Sequence, residues 1–165
     1  MNRSIYQDTF PHYIFFKMDI IRKFEGHEDA VYEMVVWNGH LFTASDDKTV
    51  KEWSATGKCV RTLTGHSDCV RRLCVWRDHL YSGSYDKTIR VWDEFGNCVR
   101  VLRKHSGAVD ILIVWKDCLI SASYDGSIRV WNESGDCIKI LSEGILFSIP
   151  FIHSLTGYLV NCFAI

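Results

Sequence analysis

Hydrophobic and polar residues alternate in short segments along most of this chain. Between Asp68 and Leu102 the segments read CVRRLCVW (69–76), HLYSGS (79–84), TIRVW (88–92) and CVRVL (98–102). Alternation with a period of two is typical of β-strands, and the short polar links between the segments are of hairpin length. No stretch keeps helical spacing for a dozen residues. This part of the chain therefore predicts a four-stranded antiparallel meander.

The meander recurs with a fixed period. SYDKTIRVWD (84–93) returns 39 residues later as SYDGSIRVWN (123–132), and 39 residues earlier the chain reads SDDKTVKEWS (45–54). A period between 20 and 50 residues marks a repeat architecture, and sheets that cannot bury both faces alone are expected to stack face to face. The shared columns are Trp37, Trp76 and Trp115; Trp53, Trp92 and Trp131; Asp47, Asp86 and Asp125; Gly57, Gly96 and Gly135; and Cys59, Cys98 and Cys137.

One repeat, GHSDCVRRLCVWRDHLYSGSYDKTIRVWD (65–93), carries a Gly-His pair, an S-x-D turn and a closing Trp-Asp pair. This pattern resembles the WD-repeat (WD40) family of β-propellers over about residues 20–142. The resemblance implies an all-β fold, a partial β-propeller of four-stranded antiparallel blades whose ring is incomplete in this chain. The first and third repeats end in Trp-Ser and Trp-Asn, and Lys104 replaces the Gly of the third Gly-His pair.

The repeat boundaries predict three blades at about 26–64, 65–103 and 104–142. The segment DIIRKFEGH (19–27) aligns with NCVRVLRKH (97–105). Residues 19–25 are therefore predicted to be the outer strand of a preceding blade, and residues 1–18 an N-terminal extension.

Residues 143–165 are interpreted as an apolar tail or an incomplete fourth blade. From Gly144 onward the tail contains no Asp, Glu, Lys or Arg and resembles a repeat only weakly. A truncated or diverged half-blade is the favoured interpretation. A membrane anchor is the second, which Pro150, His153 and Asn161 weaken. An extension from an altered reading frame is the third.

The resemblance also implies a hydrogen-bonded tetrad of His, Ser or Thr, Asp and Trp in each blade, which would keep buried polar groups paired. The hydroxyl could come from either of two columns, and the column of Thr43 was preferred to that of Ser45. The predicted tetrads are His27, Thr43, Asp47 and Trp53; His66, Ser82, Asp86 and Trp92; and His105, Ser121, Asp125 and Trp131.

Ser, His and Asp together also suggest a hydrolase triad, but a triad is needed once and not three times in register. We therefore predict no catalysis. No Gly-rich phosphate loop or metal-spaced His pair occurs, and no cofactor or metal is expected. The seven cysteines contain no C-x-x-C pair, which argues against zinc or a disulfide framework. They are interpreted as buried small apolar residues in a reducing compartment.

Partner binding is expected on the loops that enter each blade and on the turns that precede its third strand, because residues there differ between repeats. Arg71, flanked by Tyr85 and Tyr124, suggested a grip on an acidic or phosphorylated peptide. The predicted partner-binding residues are Asp29, Tyr32, Asp46, Lys48, Asp68, Arg71, Tyr85, Lys87, Asp110 and Tyr124.

A net charge of −1 gives no basic field, so nucleic acid is not an expected partner. The N-terminus lacks an uninterrupted apolar segment of the signal-peptide type, and a cytoplasmic or nuclear location is expected. The leading hypothesis is a non-catalytic protein-interaction scaffold, such as an adaptor in ubiquitin-ligase or signalling complexes. The alternatives are a fragment of a larger WD-repeat protein, a tail-anchored adaptor through residues 144–165, and completion of the ring by self-association or a partner chain.

Overall fold

The computed structural model describes residues 23–141, which form twelve β-strands and no helix. Three consecutive groups of four strands each make one antiparallel sheet, called blade 1, blade 2 and blade 3. The strands are β1 Val31–Trp37, β2 His40–Ser45, β3 Val50–Trp53 and β4 Cys59–Leu63; β5 Val70–Trp76, β6 His79–Ser84, β7 Ile89–Trp92 and β8 Cys98–Leu102; and β9 Val109–Trp115, β10 Cys118–Ser123, β11 Ile128–Trp131 and β12 Cys137–Leu141.

Each blade is a meander in which sequence neighbours pair. Val31 at the start of β1 lies opposite Ser45 at the end of β2, so the loop entering blade 1 and its β2–β3 turn share one end of the sheet. The same register holds in the other two blades. We call this end the top surface. It gathers the loops before β1, β5 and β9 and the turns before β3, β7 and β11.

The blades are joined by apolar packing between neighbouring sheet faces. Val70 and Leu73 of β5 lie in one buried cluster with Phe42, Ala44 and Val50 of blade 1. Val109 and Leu112 of β9 repeat this contact against Tyr81, Ile89 and Leu102 of blade 2. Each blade after the first therefore buries one face under its predecessor, as stacked repeats require.

A glycine in the turn before each outer strand makes this contact close. Gly96 lies in the left-handed region, at φ 84°, and a Cβ atom built there would stand 2.6 Å from Arg61 Cδ and 2.8 Å from Leu63 Cδ2 of blade 1. Gly135 has the same relation to Arg100 and Leu102 of blade 2. The recurring glycine column thus serves both the turn and the packing of adjacent blades.

The fold agrees with the all-β blade architecture predicted from the sequence, and in blade 2 the predicted segments differ from the strands by one residue at most. The interpretation of the repeated cysteines as buried is wrong, because Cys59 and Cys98 are exposed on the outer strands. Residues 1–22 and 142–165 lie outside the described residues, so the extension, most of the 19–25 strand and the tail hypotheses fall there. Within residues 23–141 no helix is long and apolar enough to cross a membrane.

Replacing Gly96 with Ala should destabilise the protein more than the same change at Gly39. Both glycines adopt positive φ, at 84° and 77°, but nothing lies within 4 Å of a Cβ atom at Gly39. Both variants bear backbone strain of about 1 kcal/mol, and Gly96→Ala adds overpacking of about 1–3 kcal/mol. Urea unfolding of the two variants measures the difference. Equal losses would show that the Gly96 contact does not constrain the packing of the blades.

Candidate functional site

The four side chains predicted as a tetrad are joined in every blade. In blade 2, Trp92 Nε1 lies 2.8 Å from Ser82 Oγ, which lies 2.7 Å from His66 Nε2, and His66 Nδ1 lies 2.7 Å from Asp86 Oδ2. Blade 1 repeats the chain through Trp53, Thr43, His27 and Asp47. Blade 3 repeats it through Trp131, Ser121, His105 and Asp125.

The direction of these hydrogen bonds follows from the donors available. An indole N–H can only donate, so Ser82 Oγ accepts from Trp92 and gives its own single proton to His66 Nε2. The other ring nitrogen, Nδ1, then carries the imidazole proton and donates it to Asp86. One unbroken series of donors thus runs from the buried indole to the turn carboxylate, and the histidine in it is neutral.

The turn aspartate also organises the backbone around it. Asp86 Oδ1 accepts from the Thr88 N–H and hydroxyl, at 2.9 and 2.6 Å, while Oδ2 accepts from the Ser67 N–H at 3.1 Å. The second hydroxyl column has a different task, because Ser84 Oγ accepts from the Asp86 N–H and donates to the Asp68 carbonyl. Each tetrad therefore fixes both the entering loop and the turn of the top surface.

Electrostatics favour the ionised carboxylates in these networks. Burial alone would raise the pKa of Asp47, but hydrogen bonds from Thr49, His27 and the Glu28 N–H outweigh it and lower the pKa to about 2. The same causes hold the pKa values of Asp86 and Asp125 well below their usual range. Burial lowers the pKa of His105 despite the opposing effect of Asp125.

This geometry does not provide a hydrolytic site. The hydroxyl-bearing residues Ser82 and Ser121 are fully buried, and Thr43 is nearly so. Each hydroxyl oxygen is engaged by both an indole and an imidazole, and the arrangement occurs three times in register. A nucleophile requires access to its substrate, so these residues serve to satisfy buried polar groups.

Among residues 23–141 no cluster of His, Cys, Asp or Glu has a geometry that could hold a metal ion.

The top surface carries a continuous row of aromatic and basic side chains. The guanidinium carbon of Arg71 lies 3.5 Å from the centroid of the Tyr32 ring and 4.7 Å from that of Tyr85. Tyr85 in turn meets Tyr124 edge to face, with centroids 5.8 Å apart. We call Tyr32, Arg71, Tyr85 and Tyr124 the tyrosine–arginine row. It crosses all three blades, and Arg71 lies between Tyr32 and Tyr85 instead of between Tyr85 and Tyr124 as predicted.

The charge of Arg71 already has a partner in the chain. Its Nε lies 3.2 Å from Asp46 Oδ1, and both side chains are largely buried. This ion pair and the flanking rings hold the guanidinium in one place, since stacking and pairing both restrict it. Arg71 is thus a fixed part of the surface, and its charge is partly neutralised.

Two further residues of the inner strands, Glu33 and Arg72, were missed by sequence reasoning. Glu33 Oε2 accepts from the Leu73 N–H at 2.9 Å and so ties β1 to β5. Arg72 lies 3.4 Å from Asp110 Oδ1, an ion pair between β5 and β9. The signal was present, since Glu33 and Arg72 occupy one repeat column with opposite charges.

The remaining predicted residues surround the row. Asp29 and Asp68 accept hydrogen bonds from the next backbone N–H in the entering loops of blades 1 and 2. Lys48 and Lys87 are exposed at the tips of the turns and adopt positive φ values of 69° and 71°. The top surface therefore brings together all ten predicted partner-binding residues.

Comparison with known proteins identifies the family. The model of the WD domain, G-beta repeat, matches residues 18–54, 57–93 and 96–132, which together make up more than half of the chain. The chain therefore belongs to the WD-repeat (WD40) family, and its three sheets are blades of a β-propeller. Each matched segment ends at the third strand of a blade and begins in the segment before that blade.

A solved relative supports the same fold. The chain is similar to the crystal structure of the WD40 beta propeller domain of Doa1, with a TM-score of 0.68 and 27% sequence identity. The match covers 74% of this chain and 44% of that one, so the chain spans less than half of its length. A search of curated protein sequences gave no match.

Replacing Ser82 with Ala should strongly destabilise the fold, because it leaves the Trp92 indole N–H and His66 Nε2 without partners. Each unsatisfied buried group costs about 1–3 kcal/mol, so we expect the free energy of unfolding to fall by about 2–4 kcal/mol. Ser82→Thr keeps the hydroxyl, as Thr43 does in blade 1, and should retain most of the stability. Urea denaturation compares the variants with Ser134→Ala on the exposed surface. If Ser82→Ala unfolded like Ser134→Ala, the proposed donor series would be wrong.

Stability should decrease as the pH falls, first slowly and then steeply below about pH 4. The tetrad aspartates have lowered pKa values, so the stability they contribute is present above the unfolded value of about 3.9. It is lost as the pH falls toward the folded value, about 2 for Asp47. His105 acts in the same direction, because its lowered pKa means that protonation favours the unfolded chain. Urea unfolding at pH 7, 5 and 3 tests this, and a midpoint unchanged between pH 5 and 3 would contradict it.

Proposed function

We propose that this chain is a non-catalytic scaffold that binds a protein or peptide partner on its top surface through the tyrosine–arginine row. Propellers of the WD40 family generally bind proteins or peptides, and the family is generally non-catalytic. The observation that carries the proposal is the exposure of the row. Tyr32 and Tyr124 are 43% and 44% exposed although their neighbours hold them in place.

The physical reason is preorganisation. Tyrosine and arginine are enriched at binding hot spots because they offer large contact areas with polar ends. Here the Asp46–Arg71 ion pair and the edge-to-face tyrosines fix these side chains before any partner arrives. Less conformational entropy is then lost on binding, which favours affinity.

An acidic or phosphorylated partner is a narrower form of the proposal. Arg71 alone supports it weakly, because Asp46 competes for the same guanidinium. Lys48 and Lys87 support it better, because both are exposed and no ion pair within residues 23–141 engages either. A phosphate or carboxylate group would therefore meet the turn tips before it met Arg71.

In cells, we assign the chain the role of a recognition or adaptor subunit in a ubiquitin-ligase or signalling complex, with the catalytic activity supplied by a partner. A second candidate is that these blades form an arc of a larger propeller. The 44% coverage of the Doa1 domain favours it. In that case the tyrosine–arginine row would be one part of a wider binding ring.

Substitutions in the row should abolish capture of the partner without unfolding the protein. Proteins crosslinked to the tagged chain in cells are identified by quantitative mass spectrometry, and the same experiment is run with Arg71→Glu, Tyr85→Ala and Tyr124→Ala. Because hot-spot truncations cost about 2 kcal/mol or more, captured partners should fall by about tenfold or more. Lys48→Glu with Lys87→Glu tests the acidic form separately.

The matched control is Phe95→Ala. Phe95 is also an exposed aromatic residue, but it lies in the β7–β8 turn at the opposite end of the blade. This variant should capture the same partners as the wild-type chain. If the row variants retained these partners, or if Phe95→Ala lost them equally, the top surface would not be the binding site.

A further inference from the structure

The sheet face of blade 1 that points away from blade 2 is apolar and uncovered. Val31 and Met34 of β1 are 46% and 64% exposed. Their equivalents in blade 2, Val70 and Leu73, are 0% and 4% exposed because blade 1 packs against them. The same residue types at the same positions are therefore built for burial, and in blade 1 they lie open.

The open face contains a shaped cleft and not only scattered apolar residues. The cleft holds about 570 Å³, and Met34 and Val31 stand on one side of it. Phe24 and Trp53 form another wall, with their rings edge to face at a centroid distance of 5.7 Å. Contiguous apolar surface of this kind marks an interaction site in soluble proteins.

The face that covers such a cleft inside the chain is not available for a head-to-tail contact. In blades 1 and 2 the covering face is built by Phe42, Ala44 and Val50 and by their equivalents. The corresponding residues of blade 3, Ile120, Ala122 and Ile128, are already buried. A second copy of the chain therefore cannot offer this face without rearrangement.

We propose that two copies of this chain associate through the open faces of their first blades, related by a two-fold axis. Met34, a flexible and protruding side chain, would enter the cleft of the other copy between Phe24 and Trp53. The rim suits this symmetry because it carries both signs of charge, in the exposed Lys23–Glu25 ion pair. A two-fold rotation brings Lys23 of one copy toward Glu25 of the other, and such self-complementary contacts are the commonest in homo-oligomers.

The test is the mass of the full chain in solution as a function of concentration, by analytical ultracentrifugation. The wild-type chain should approach twice 19.1 kDa, and Met34→Glu should remain at 19.1 kDa. A charge at the centre of the contact should weaken association by about tenfold or more. Because Met34 is exposed, thermal unfolding of this variant should match the wild type. Val99→Glu, on the exposed side of outer strand β8, should dimerise normally.

Mixing experiments test the symmetry of the contact. In a two-fold contact both copies supply the same face, so tagged Met34→Glu should not enter dimers with the wild-type chain. Mixed dimers would instead show a head-to-tail contact and overturn the proposal. A wild-type chain that stays monomeric at every concentration, or a Met34→Glu variant that still dimerises, would overturn it as well.

Discussion

The structure depends on the series of hydrogen bonds that runs from the buried indole of each blade to the carboxylate of its turn. Trp92, Ser82, His66 and Asp86 come from three strands or loops of blade 2 that are distant in sequence, and the same holds in the other blades. Buried polar groups are costly unless paired, so the four members stabilise the fold only as a complete set. This requirement explains why the repeat spacing is rigid.

The same network positions the surface that we assign to partner binding. Asp86 receives the His66 proton with one oxygen and fixes the turn beside it with the other, and the neighbouring residues of that turn are Tyr85 and Lys87. The interior of each blade therefore sets the position of the residues on the top surface. Because these neighbours vary between repeats while the tetrad does not, the scaffold can present different side chains without losing its fold.

Much of this arrangement could be predicted from the sequence, because the fold is a repeat. Strand positions in blade 2 and the tetrad members follow from period-two alternation and aligned columns, which are local signals. The partners of Arg71 could not be predicted, since Tyr32 and Asp46 lie in the neighbouring blade and only the stacking of blades brings them close. The exposure of Cys59 and Cys98 was missed for a related reason: an outer strand has a neighbour on one side only.

The central claim is that three equivalent donor series hold the three blades, and hydrogen exchange of the indole N–H groups tests it most directly. In ¹⁵N NMR spectra, the Nε1 protons of Trp53, Trp92 and Trp131 should exchange only through global unfolding, because each is buried and donates to a buried hydroxyl. The Nε1 proton of Trp76, which donates to the exposed Asp117, should exchange much faster. If Trp53, Trp92 and Trp131 exchanged as fast as Trp76, the tetrads would not be the interaction on which this fold depends.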